Sequence, residues 1–352
     1  MTIRHNKRPS SQALDDAVAQ SIRDFSDPIE IEEELLVRTE QPTTQMSILP
    51  DVSKSSKLAN EKIQRKHKTN VSLALAGSIL NNVSTLQLKT LLAGQIGRYC
   101  AIFRIVEIVI FDDHDAGSGY VDSTKEACAL MRKLLEYQVM PQYMRKSLFG
   151  IDQDLAFASL LHPLATPHHM KMDDFSKYRD GLTLDRKSAG GFTMANCGLG
   201  SDVVLDRKLK PGICVTVKFE KDDWENGEIV SPKEPFKNGY YWGYSIRTAN
   251  CMDDIFCHPN GDKYELVLGT SDKGELLSDI NLPDVKTMLI VVGGVQGLEF
   301  AFENDEKNAS SDCATNFDFY VNCCANQGSR TIRTEEALPI ILTSVNEKIN
   351  FL

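Results

Sequence analysis

The run Thr287-Met288-Leu289-Ile290-Val291-Val292 is apolar throughout. A run polar on neither face reads as a central strand covered on both sides. It leads directly into Gly293-Gly294-Val295-Gln296-Gly297-Leu298-Glu299, and the same pattern stands on either side of it. Tyr264 to Gly274 reads as a strand followed by the small-residue loop Gly269-Thr270-Ser271-Asp272-Lys273-Gly274. Phe317-Asp318-Phe319-Tyr320-Val321, aromatic and β-branched, reads as a third strand. Asn322 to Arg330 then supplies Asn, Gly and Ser, which tolerate unusual dihedrals and leave backbone N–H groups free for a ligand. Thr334-Glu335-Glu336 opens a helix, with Thr334 as the capping candidate and two carboxylates in the first turn, where the helix dipole favours them. Ligands of open α/β sheets gather at the carboxyl ends of strands, so the three loops predict one composite pocket for a small molecule with polar and apolar parts.

Upstream, the residues before about Thr69 are rich in Ser, Gln, Asp, Glu and Lys, and read as a disordered tail. An acidic helix between Ala13 and Val37 would be interrupted by Pro28. The net charge of −10 counts against a generic nucleic-acid binder, but clustering matters more than the sum. Lys54 to Lys68 holds six basic residues against one Glu. That stretch reads either as an RNA contact or as a solvated linker. No stretch approaches a membrane span and the start lacks a secretory core, so a soluble intracellular protein is expected. The nine cysteines include no Cys-x-x-Cys pair, which favours reduced thiols over a zinc site. Cys323 and Cys324 fall in the pocket loop, although free cysteine is more commonly a small buried hydrophobe.

The ordered part begins with a strand over Val71–Ala76 and a helix from about Ser84 to Phe103. Leu86, Leu88, Leu91, Leu92, Ile96, Tyr99, Cys100 and Phe103 are expected to form the buried stripe of that helix. A strand over Val106–Phe111 ends in Asp112-Asp113-His114-Asp115, a metal-like cluster that is assigned no metal because a flexible glycine loop follows. Helices follow near Thr124–Gln138 and Pro141–Leu148. His162, His168 and His169 read as structural or RNA-contacting residues rather than a metal site or catalysts, since adjacent histidines point to different sides of an extended chain. From Gly181 to His258 short β-rich runs, among them Gly181–Asp185, Val203–Asp206, Ile213–Phe219 and Tyr240–Arg247, predict a small antiparallel barrel. Its Arg186, Lys187, Arg207, Lys208, Lys210 and Lys218, with Phe192, Tyr240, Tyr241, Trp242 and Tyr244, offer charge and stacking for single-stranded RNA, the alternative for the aromatics being core.

The trio GTSDKG, VVGGVQGLE and YVNCCANQGSRTIRTEEA resembles the cofactor-binding half of the SPOUT (trefoil-knot) RNA methyltransferases, in the branch with an inserted oligonucleotide-binding-like barrel. The resemblance covers about Asn70 to Val345. It implies a SPOUT-type α/β trefoil knot with an inserted small antiparallel OB-like β-barrel and a disordered N-terminal tail. The corresponding divisions are 1–69 for the tail, 70–180 for the first part of the methyltransferase domain, 181–258 for the barrel and 259–352 for the knotted part. The implied cofactor is S-adenosyl-L-methionine, with S-adenosyl-L-homocysteine as product and no metal. Cofactor contacts would come from Gly269, Thr270, Ser271 and Lys273, from Gly293, Gly294 and Gly297, and from Asn322, Gln327, Gly328, Ser329, Thr331 and Ile332. Arg330 and Arg333 are placed to favour the anion of a ring imide such as that of uridine. Glu336 is a proton acceptor or a helix cap, and Arg98 either reaches the substrate or forms a surface ion pair.

The implied partners are RNA, with rRNA the best match, and a second copy in a homodimer; no membrane is involved. The rival reading is a cofactor-binding scaffold acting with centromere or spindle proteins, in nucleus and cytoplasm. A dinucleotide enzyme would carry Gly-x-Gly-x-x-Gly after the first strand, and Gly293-Gly294 with Gly297 stands late with the wrong spacing.

Overall fold

Continuous apolar runs become the interior of a parallel sheet, because only burial on both faces suits them. A computed structural model of the chain describes residues 69–113, 121–221, 223–258, 261–305 and 312–349. The expected tail with its basic segment and acidic helix, apart from Thr69, lies outside these residues, as do His114 and Asp115. In chain order, β1 (Asn70–Ala76), α1 (Leu86–Ile102), β2 (Glu107–Phe111), α2 (Val121–Val139) and α3 (Gln142–Phe149) come first. They are followed by β3 (Tyr178–Lys187), β4 (Thr193–Asn196), β5 (Val203–Leu205), β6 (Cys214–Lys218) and β7 (Asn226–Val230). The rest comprises α4 (Glu234–Lys237), β8 (Ser245–Ala249), β9 (Leu266–Leu276), β10 (Thr287–Val292), α5 (Gly297–Glu303), β11 (Phe319–Asn322) and α6 (Thr334–Ile349).

Six strands form one sheet in the order β11-β9-β10-β1-β2-β8, every pair parallel. Parallel neighbours need crossovers, and the helices supply most of them. β1 lies between β2 and β10, with Leu73 opposite both Ile108 and Ile290. Alternate side chains enter two cores. Leu73, Leu75, Ile108, Ile110 and Ile290 pack with Ile96 of α1, Leu134 of α2 and Leu338, Leu342 and Val345 of α6. Ala74, Val109, Leu289 and Val291 face Phe302, Phe317 and Tyr264 on the other side.

α1 starts where Thr85 caps it, its hydroxyl accepting the Leu88 N–H at 3.3 Å. The buried stripe is the expected one in part: Leu92, Ile96 and Cys100 are buried and Tyr99 and Phe103 pack against the core, but Leu88 and Leu91 are 47% and 41% exposed. Small residues take the inner face instead. A side chain at Gly94 would press on the Leu161 backbone, and one at Gly97 would overlap Gln138 and Tyr244. Close approach of neighbouring segments, rather than apolar volume, sets that face.

The five strands β3 to β7 close into a barrel in the order β3-β4-β5-β7-β6 around Ala195, Cys197, Val203, Leu205, Val217 and Phe219. It is mixed rather than wholly antiparallel, since β5 and β7 run parallel. The Tyr240–Arg247 run does not belong to it. Ser245–Ala249 pairs with β2 as the edge of the main sheet, and Tyr241 donates from its hydroxyl to the Ile105 carbonyl at 2.8 Å. Tyr241, Trp242 and Tyr244 are buried, so of the aromatics proposed for RNA stacking they are core. Where the chain enters and leaves the barrel, His168 and His169 both donate from Nε2 to the Val139 carbonyl, at 2.8 and 2.7 Å. A carbonyl can only accept, so each ring carries a proton on Nε2. Burial pushes His168 down to about 4 and His169 to about 3. Their structural reading stands. No helix among the described residues is long and apolar enough to cross a membrane.

Candidate functional site

β9, β10 and β11 are neighbours, and their carboxyl ends open onto a cavity of about 390 Å³. The loop of the first strand is made by an interrupted ladder. Phe319 and Tyr320 pair with Leu268 and Gly269, but Val321 and Asn322 pair with Glu275 and Leu276. Residues 271–274 are therefore left out of the ladders with β10 and β11, a bulged loop before pairing resumes. Glycine permits the return: a Cβ on Gly274 would lie 2.5 Å from the Val321 carbonyl carbon. The second loop turns at Gly297, whose φ of 87° is glycine territory. A Cβ on Gly293 would meet the Leu298 nitrogen at 2.6 Å, and one on Gly294 would meet the Ser78 and Asp113 oxygens at 2.6 Å. Ser78 donates to Asp113 at 2.5 Å, so this buried pair backs the cavity wall at Gly294.

Of the residues singled out in the sequence, Thr270, Ser271 and Lys273 line the cavity from the first loop, and Gly293, Gly294 and Gly297 from the second. Asn322, Gln327, Arg330, Thr331 and Ile332 line it from the third. Gly269 lies one residue deeper, where it accommodates the Phe317 ring, and Gly328, Ser329, Arg333 and Glu336 are outside the lining. Arg98 is remote from it. Its guanidinium donates to the Pro163 carbonyl at 3.2 Å and to the Leu164 carbonyl.

Most polar side chains in the third loop shape the loop itself. Asn322 donates to the Asp272 carbonyl and accepts the Cys324 N–H, each at 2.9 Å, tying the first loop to the third. Gln327 donates to the Ser329 carbonyl at 3.1 Å, and Ser329 donates to the Thr331 carbonyl at 3.0 Å. Thr334 is not the cap its position suggested, because its hydroxyl donates to the Gly293 carbonyl at 2.9 Å and joins the second loop to α6. Glu336 does the capping, accepting the Arg333 N–H at 3.0 Å.

Several lining residues carried no distinct signal in the sequence. Ala337, Ile340 and Ile341 of α6 form an apolar wall, and nothing local separates them from ordinary core. Glu299 sits in the GLE that follows the glycine turn and was visible there without an assigned role. Its carboxylate accepts from Ser271 Oγ at 3.0 Å and from Lys273 Nζ at 3.2 Å. Burial opposes ionisation, yet its own backbone N–H, Lys273 and Ser271 together hold its pKa below the usual carboxylate range. Cys323 also lines the cavity, and burial pushes its thiol up to about 12. It is an inert wall residue rather than a nucleophile. Among the described residues no cluster of His, Cys, Asp or Glu could hold a metal.

In sequence the chain is similar to known methyltransferases. The family model described as "Putative RNA methyltransferase" matches residues 70–345. A "28S rRNA (uridine-N(3))-methyltransferase" of Mus musculus is 42% identical over 290 residues, 78% of this chain and 75% of that protein. Its namesake in Homo sapiens is 41% identical over 302 residues, 82% of this chain and 80% of that one. Among solved structures, the SpoU methyltransferase AviRb of Streptomyces viridochromogenes, in complex with AdoMet, is 8% identical with a TM-score of 0.31. That match covers 82% of this chain and 60% of that one.

Proposed function

The chain belongs to this RNA methyltransferase family, and from that premise we propose that it transfers the methyl group of S-adenosyl-L-methionine to the N3 ring nitrogen of a uridine in ribosomal RNA, releasing S-adenosyl-L-homocysteine. The observation that carries the reading is the single cavity at the joined ends of β9, β10 and β11, lined on one side by glycines and on another by Arg330. A nucleoside cofactor fits such walls: the glycines let backbone groups approach, and Val321, Ile340 and Ile341 give apolar surface. The cofactor brings a methyl group already activated by a positively charged sulfur.

The protein's own work is then positioning and charge. Asn322, Gln327 and Ser329 hold the third loop in shape, and Thr334 holds α6 to the second. Arg330 on the cavity wall lowers the pKa of a neighbouring imide, so that N3 gives its proton to solvent and attacks the methyl group as its anion. Arg333, 62% exposed beside the mouth, is assigned to an RNA phosphate, and Glu336 fixes its backbone. Arg98 is assigned to positioning the 162–164 turn. The trefoil threading of the last strand and helix belongs to the same proposal, supported by the register skip that brings Val321 against Gly274. So does a homodimer, supported by the exposed Leu88 and Leu91 on α1.

Incubating purified protein with methyl-labelled cofactor and ribosomal RNA should yield labelled 3-methyluridine on digestion. Arg330→Ala should slow labelling about 100-fold while S-adenosyl-L-homocysteine still binds by calorimetry. Absence of any methylated uridine rejects the reading. A scaffold at the centromere or spindle, in nucleus and cytoplasm, makes the opposite forecast: the Arg330→Ala chain would then rescue cells lacking the protein.

A further inference from the structure

β3 is longer than the barrel it belongs to. Its first six residues are mostly buried, but Asp185, Arg186 and Lys187 run on into solvent, where Lys187 pairs with Thr193 across a bulge. The hairpin is closed by Gly191 N–H to the Ser188 carbonyl at 2.8 Å and by Ser188 N–H to the Phe192 carbonyl at 3.0 Å. It holds the Phe192 ring out, 42% exposed.

A second segment is fastened beside it. Thr193 Oγ1 accepts the Leu209 N–H at 2.7 Å and donates to the Leu209 carbonyl at 3.3 Å. Thr183 Oγ1 donates to the Lys210 carbonyl at 2.7 Å and accepts the Ile213 N–H at 2.8 Å. Both threonines are buried, so the loop bearing Arg207, Lys208 and Lys210 is fixed from beneath at two points. The hairpin and this loop carry five basic residues against Asp185, Asp202 and Asp206, in a chain whose net charge is −10. Arg186 pairs with Asp202 and Arg207 with Asp206, and Lys187, Lys208 and Lys210 remain directed to solvent.

We propose that this end of the barrel grips single-stranded RNA, one unpaired base stacking on Phe192 while Lys187, Lys208 and Lys210 meet its phosphates. An exposed ring beside fixed cations suits a single strand, because bases in a duplex are already stacked on one another. The fixed loop lowers the ordering cost of binding. The choice of RNA as partner rests on the methyltransferase reading; the charge and the ring do not.

Fluorescence anisotropy with a labelled oligouridine about 12 nucleotides long tests it on the full chain. Lys187→Glu with Lys208→Glu and Lys210→Glu should weaken binding about 30-fold and flatten the dependence of log affinity on log salt by about 2. Phe192→Ala should weaken it about 10-fold and leave the salt slope unchanged. Lys237→Glu, on exposed α4, should do nothing. The proposal is overturned if Phe192→Ala binds as the parent does, if Lys237→Glu is as harmful as the triple change, or if a duplex of equal length binds equally well with the same sensitivities. Calorimetry with S-adenosyl-L-homocysteine on each variant separates the two readings: unchanged heats show an intact fold, and a parent chain that takes no cofactor sinks methyl transfer without touching the RNA result.

Discussion

The cavity and the barrel hairpin both fasten loops with side-chain hydrogen bonds, but the cavity also presses main chain against main chain. Around the cavity main chain lies against main chain, with Gly274 beside Val321 and Gly293 beside Gly297 and Leu298. In the barrel, side chains do the holding: Thr183 and Thr193 fasten the lysine loop, and a Cβ on Gly227 would meet the side chains of Val217 and Val203 first. Main-chain contacts cannot relax by changing a rotamer, whereas side-chain contacts can. Substitutions at the cavity should therefore act as all or nothing, and those in the barrel by degrees.

The largest expected effect is from Gly274→Ala, whose new methyl group would stand 2.5 Å from the Val321 backbone. It should cost about 4 kcal/mol in urea unfolding and abolish cofactor binding by calorimetry; a parent-like midpoint would break the contrast. Next comes acid, which acts at the junction between the two regions. The folded pKa values of about 4 for His168 and about 3 for His169 lie below the ordinary 6.5. The unfolded chain thus binds more protons between these limits, so the stabilisation is complete above about pH 6.5 and is lost as pH falls toward 4. The loss is read as a melting temperature that falls as pH drops below about 6.5, with a shallower slope in His168→Gln. Thr193→Val should cost about 2 kcal/mol by removing both bonds to Leu209, and should weaken RNA binding without altering cofactor heats. Gly227→Ala should cost only about 1 kcal/mol, because Val217 can turn aside; a loss equal to that of Gly274→Ala would erase the distinction.

The same contrast explains what could be read in the sequence. β1, β9, β10 and the three cavity loops were legible because burial on both faces and a demand for small residues are local constraints. Strand pairing is not local. The Tyr240–Arg247 run had every mark of a strand, but nothing in it says that Ser245–Ala249 joins β2 rather than the barrel. In α1 Leu88 and Leu91 pointed away from the face that is buried, because Gly94 and Gly97 are buried for closeness and carry no hydrophobic signal. At the cavity, residue types announced polar loops but not their partners. Asn322, Ser329 and Thr334 are spent on carbonyls of the loops themselves, and the Glu299 bridge to Ser271 and Lys273 joins segments 26 or more residues apart.

The pairing of Asn70 with Thr287 sets an order on how the molecule is made. During translation β1 and β2 leave the ribosome early and must wait with one flank open, while every barrel strand, from Tyr178 to Val230, is complete before β10 exists. The insert can therefore mature as a nascent unit, but the catalytic half cannot begin to until nearly the whole chain has been synthesised. A message truncated before Val292 would release a finished barrel attached to a sticky, half-built sheet, a natural client for chaperones and proteases.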